Sequence, residues 1–104
     1  MPRFDVYANP AVAERRHTPY FLDVQNDYID HLDTRVVIPL RRAVSFGPQA
    51  RDLHPTLDVN GESMVLDTSA IGAVPLSELR KQVAHLEEAR EPVQAALDTL
   101  FGSY

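Results

Sequence analysis

The sequence predicts a mainly β fold of the α+β class, a set of antiparallel strands followed by one C-terminal α-helix. Three observations carry this expectation. Short segments rich in Val, Ile, Phe and Tyr are separated by Asn, Asp, Gly and Pro. An Asn60-Gly61 pair joins two of these segments. One helical stripe, Val93, Ala96, Leu97, Leu100 and Phe101, closes the chain at spacings of i, i+3, i+4, i+7 and i+8.

Phe4-Asp5-Val6-Tyr7 reads as the first strand, ended by Asn9-Pro10, because the residue before a proline is restricted and the proline has no N–H to donate. The polar stretch from Ala11 to Pro19 reads as a hairpin arm or loop. Tyr20 to Gln25 is a second strand, rich in the residues that strands favour. Asn26-Asp27 and Asp30 to Thr34 are turn-forming, with side chains able to bond local backbone donors. Arg35 to Leu40 is the strongest strand. Its Val36-Val37-Ile38 run is apolar on both faces, which predicts a central position, with Pro39 near the strand's end.

Phe46-Gly47-Pro48 marks a loop. Thr56 to Val59 and Ser63 to Asp67 alternate on either side of Asn60-Gly61, a pair suited to the positive φ angles of a type I′ hairpin turn. Thr68 to Val74 has room for one more brief strand. Leu76, Leu79, Val83 and Leu86 recur at helical spacing and predict a short helical segment. Glu91-Pro92 then opens the terminal helix, where proline fits the first turn and an acid complements the dipole. Gly102 is its stop.

The 104 residues amount to a single domain, 1–104, with no repeat or low-complexity linker dividing them. Ten basic residues against fifteen acidic ones give a net charge of −5, a poor basis for tight nucleic-acid binding, which depends on Lys and Arg at phosphates. No direct nucleic-acid binding by the chain alone is expected. The absence of cysteine excludes disulfides, thiolate nucleophiles and cysteine zinc sites. Apolar runs are only a few residues long, and the N-terminus lacks the pattern of a signal peptide, so no membrane association and a cytoplasmic location are expected.

The residues do not advertise catalysis. Asp23, Asp27, Asp30 and Asp33, with His31 nearby, match no calcium loop and read better as turn caps, so no metal and no cofactor are expected. The four histidines have no paired ligand spacing, no serine sits in a Gly-X-Ser-X-Gly elbow, and four single glycines form no phosphate-cradling loop. The basic doublets Arg15-Arg16, Arg41-Arg42 and Arg80-Lys81 read as solvated surface. The end of the helix is different. A stretch that finishes with Phe101 and Tyr104 has either docked its terminus or left apolar surface for a partner, and exposed aromatics on small proteins tend to mark interfaces.

The segments Phe4-Asp5-Val6-Tyr7, Phe21-Leu22-Asp23-Val24-Gln25-Asn26-Asp27-Tyr28-Ile29-Asp30 and Val37-Ile38-Pro39-Leu40 resemble the CcdB toxins of bacterial toxin–antitoxin systems. Leu53-His54-Pro55, Gly61-Glu62-Ser63, Val74-Pro75-Leu76 and the terminal helix follow in the same order, so the resemblance covers Arg3 to Tyr104, with a small insertion near Ala11 to His17. It implies an SH3-like antiparallel β-barrel with a C-terminal α-helix, acting as a homodimer. It also implies a poison that is not itself an enzyme. Such toxins bind the A subunit of DNA gyrase and trap the cleaved-DNA complex. A cognate antitoxin releases them, and the pair represses its own operon.

Carried over by position, the gyrase-binding residues implied are Tyr28, Ile29, Asp98, Phe101, Gly102, Ser103 and Tyr104. The antitoxin-binding residues implied are Phe4, Val6 and Tyr7, beside the groove that the terminal helix borders. This chain departs from the family pattern at its end. Gyrase-poisoning members typically finish Phe-Trp-Gly-Ile, whereas Gly102 stands here at the position of the tryptophan and Asp98 replaces a neutral amide. Two further functions therefore stand beside gyrase poisoning: an antitoxin-binding relative that has lost it, and an mRNA-cleaving toxin on the same barrel, for which Arg41-Arg42 would supply the cations.

Overall fold

The computed structural model describes residues 2–29 and 31–102. Seven strands, β1 (Asp5–Ala8), β2 (Tyr20–Asp23), β3 (Thr34–Arg42), β4 (Thr56–Val59), β5 (Glu62–Leu66), β6 (Gly72–Pro75) and β7 (Gln82–His85), form one sheet. Its order is β4-β5-β3-β2-β1-β7, with β6 paired to the first half of β3, and every pairing is antiparallel. The sheet curls into an SH3-like half-barrel. A one-turn helix α1 (Ala43–Phe46) follows β3, and the twelve-residue helix α2 (Arg90–Phe101) ends the described chain.

β3 is central, as its two-sided apolar run requires, but it extends past Pro39 to Arg42. The strand changes partner there. Val37 is the last residue opposite β6, and Leu40 is the first opposite β5. Pro39 occupies the gap between the two ladders, where no N–H is needed, and its carbonyl still accepts from the Asp67 amide at 3.0 Å. The concave face buries Phe4, Val6, Leu22, Ile38, Leu40, Met64 and Leu66 against Val93 and Ala96 of α2.

The β4–β5 turn has Asn60 at φ 51° and Gly61 at φ 89°, the positive pair that the Asn-Gly dipeptide predicts. Asn60 also donates its side-chain amide to the Val83 carbonyl at 3.0 Å, which draws the hairpin tip onto β7 and narrows the open side of the barrel.

The expected short helix through Leu76 to Leu86 does not form. Leu76–Glu78 is a 3₁₀ turn and Gln82–His85 is β7. Strand β1 has β2 on one side only, and an open edge beside a buried face is satisfied by a partner strand. β7 fills that edge, with further bonds from Ala8 to Lys81 and from Leu86 to Phe4, each 2.9 Å. Leu79 and Leu86 are still buried, and Val83 packs against the core. Helical spacing over so short a segment is also the spacing of a turn followed by a strand.

Candidate functional site

The turn after β2 is a single 3₁₀ turn, Asp27–Ile29, started by the Asn26 side chain, which accepts from the Tyr28 amide at 2.9 Å. It presents Tyr28 almost entirely to solvent, at 91% exposure, with Ile29 beside it at 44%. On α2, Val93 and Ala96 face the core, while Phe101 at the last turn is 67% exposed. Gly102 ends the helix in the left-handed region at φ 74°, its amide bonded to the Asp98 carbonyl at 2.8 Å.

A run of hydrogen bonds joins the turn to the helix. The Arg3 amide donates to Asp27 Oδ1 at 2.7 Å, and Arg3 Nη2 donates to Gln94 Oε1 at 3.3 Å. Gln94 Nε2 then donates to Asp98 Oδ1 at 3.1 Å. Gln94, Asp98 and Phe101 lie at i, i+4 and i+7, a single stripe of the helix. The hydrogen bonds therefore run from the Asp27–Ile29 turn through Arg3 and Gln94 to Asp98, with Phe101 further along the same helix stripe. Asp98 also borders a groove with Arg51, Asp52, Pro55 and Pro92. Ser103 and Tyr104 lie outside the described residues, as does Asp30.

Phe4, Val6 and Tyr7 are placed differently. All three are buried, and β1 is flanked on both sides by strands. Phe4 and Val6 have no solvent-exposed surface in this structure and belong to the core. Large apolar exposure occurs instead at Val12 and at Val44, which is 94% exposed on α1. A hydrogen bond of 2.8 Å between His17 Nδ1 and Ser45 Oγ ties the two segments that carry them. Sequence periodicity did not single out these valines, because each sits in a one-turn helix too short to show a pattern.

Beneath the Tyr28 turn lies a buried ion pair that the sequence reading missed. Arg35 Nε and Nη2 donate to the two carboxylate oxygens of Asp23 at 2.8 and 2.9 Å. Asp23 also accepts from the Gln25 amide at 3.0 Å, and Asp27 stands 3.5 Å from the Arg35 guanidinium. Burial pushes the Asp23 carboxyl above the usual aspartate range, against the hydrogen bond from Arg35. On Arg35 burial acts downward, but the hydrogen bond and charge of Asp23, helped by Asp27, outweigh it and hold the guanidinium protonated. The legible signal was a pair of opposite charges on adjoining strands, since Asp23 faces Val37 and Arg35 is its diagonal neighbour.

Asp5 anchors a second buried cluster, accepting from Tyr7 Oη at 3.2 Å and Gln82 Nε2 at 3.0 Å, with His85 Nδ1 at 2.8 Å. A cavity of about 600 Å³ opens beside it, lined by Arg3, Asp27, His85, Glu87 and Arg90 among others. Arg41 and Arg42 are ion-paired with Asp67 and Glu62. These are the two arginines on which the RNA-cleaving reading leans. Among the described residues, no group of three or more His, Asp or Glu side chains could hold a metal ion, and no helix is long and apolar enough to cross a membrane.

Exposed aromatic and aliphatic side chains thus sit on a turn and at a helix end, with a polar network between the two elements. A family model described as CcdB protein matches residues 3–102, nearly the whole chain. The chain belongs to the CcdB family, the toxins of type II toxin–antitoxin systems.

Proposed function

We propose that this chain binds the A subunit of DNA gyrase through the face formed by Tyr28, Ile29, Asp98 and Phe101, and traps the enzyme on cleaved DNA. The observation that carries this reading is the exposure of Tyr28 and Phe101 on two elements bound to one another through Arg3 and Gln94. Exposed aromatics on a rigid support are the usual anchors of protein interfaces. In this reading the protein acts as a cytoplasmic homodimer and as a poison, with no bond made or broken by its own side chains. Gly102, Ser103 and Tyr104 are counted among the gyrase-binding residues in this reading, the last two lying outside the described residues.

The cognate antitoxin neutralises the toxin, and the two together repress their operon. Because Phe4, Val6 and Tyr7 are buried, the apolar anchors for an antitoxin segment are better sought at Val12 and Val44. Arg15 and Arg16 lie close to Val12 in sequence and suit an acidic peptide.

A second reading is an antitoxin-binding relative without gyrase activity. The left-handed Gly102 favours it, since a residue with no side chain cannot stack on a target. The two readings are separated by incubating the purified protein with gyrase from the same organism and measuring cleaved-DNA complexes. Complexes that disappear when residues 101–104 are removed support the poison. A folded protein that yields none supports the relative.

A further inference from the structure

We infer that Arg3 is a positioning residue for the partner face, a clamp that sets the Tyr28 turn against helix α2. This rests on the reading of that face as the gyrase-binding surface. Three donors of one residue reach three separate elements. The Arg3 amide holds Asp27 in the turn at 2.7 Å, Nε holds the Val24 carbonyl at the end of β2 at 3.1 Å, and Nη2 holds Gln94 on α2 at 3.3 Å. The guanidinium carbon also lies 4.8 Å from the centre of the Phe4 ring, which has Arg90 at 5.0 Å as well.

The backbone supplies a second, independent observation. Phe4 sits at φ 75°, a conformation that a bulky residue rarely adopts. Its amide and carbonyl are nevertheless fixed, by Asp23 at 2.7 Å and Leu86 at 2.9 Å. This left-handed residue turns the chain so that the Phe4 ring enters the core while Arg3, immediately before it, stays over the turn and the helix. Strain of this kind persists where the surrounding contacts over-determine it and is often found beside functional surfaces. Asp27 is in turn 3.5 Å from Arg35, so the clamp connects the turn to the buried ion pair as well as to the helix. A planar guanidinium with donors in fixed directions can hold two elements at a set angle, which a lysine ammonium cannot.

The test is a pair of substitutions read without any partner and then with one. Gln94→Leu breaks the clamp from the helix side, far from the turn in sequence. Amide hydrogen exchange at Tyr28 and Ile29 is expected to rise severalfold in Gln94→Leu, with the amides of Ile38 and Val93 unchanged. In an Arg3→Met background the same helix substitution is expected to have no further effect on the turn. Unchanged turn exchange in Gln94→Leu, or an equal rise at Ile38 and Val93, overturns the clamp. With the isolated dimerisation region of gyrase A as probe, Arg3→Met and Arg3→Lys should each bind roughly tenfold more weakly than the parent chain. Parent-level binding by Arg3→Met contradicts the clamp. Absence of binding by the parent chain contradicts the gyrase reading alone, and the exchange experiment still decides the clamp.

Discussion

Asp23 and Arg35 form a two-pronged ion pair at 2.8 and 2.9 Å in which neither side chain is more than 1% exposed. The pair joins β2 to β3 directly beneath the turn that presents Tyr28. Removing one partner leaves the other charge buried and uncompensated, so Asp23→Leu or Arg35→Met should each cost about 3–5 kcal/mol of unfolding free energy. Replacing both together, Asp23→Leu with Arg35→Met, should recover most of that loss, because an apolar pair carries no desolvation cost. Denaturant unfolding of the three variants measures this, and additive losses in the double variant would refute it.

Tyr7 gives the fold a defined alkaline limit. Burial raises its phenol pKa, and the charge and hydrogen bond of Asp5 raise it further. The folded state therefore keeps the phenol proton in a range where the unfolded chain, titrating near about 10, has lost it. The contribution is fully present below that value and is lost as pH rises toward the folded value. Unfolding free energy should fall with pH above about 10, and Tyr7→Phe should flatten that slope. Denaturant melts across this range provide the check.

Phe101 separates binding from folding. At 67% exposure it contributes little to the core, so Phe101→Ala should change stability by no more than about 0.5 kcal/mol. Its loss from the partner face should cost about 2 kcal/mol of binding, a factor of tens in affinity. Thermal unfolding and titration with the gyrase A dimerisation region, made on the same sample, test both halves.

Val44 should separate the two partners. Val44→Asp places a charge at a 94% exposed position on α1, a different element from those that carry Tyr28 and Phe101. It is expected to weaken antitoxin binding at least tenfold through lost apolar contact and repulsion of an acidic segment, while gyrase binding is kept. Equal weakening toward both partners in paired titrations would show that the two surfaces are not separate.

Much of the fold was legible because its signals are local. Asn60-Gly61 announced its turn, the Val36 to Ile38 run announced a central strand, and the stripe from Val93 announced α2 with its stop at Gly102. What was illegible depends on residues far apart. β7 exists because β1 needs an edge partner, and no window around Leu79 contains that requirement. The exposed Tyr28 and Phe101 could be named from sequence, but their link through Arg3 spans 91 residues to Gln94. The burial of Phe4 and Val6 follows from β1 lying inside the curl of the sheet, which alternation alone does not reveal.

The account stands most directly on one measurement: nuclear magnetic resonance mapping of the labelled chain as the gyrase A dimerisation region is added. It predicts that the largest perturbations fall at Tyr28, Ile29, Asp98 and Phe101, with Val12 and Val44 unaffected. Perturbations confined to Val12 and Val44, or none at saturating partner, would contradict it.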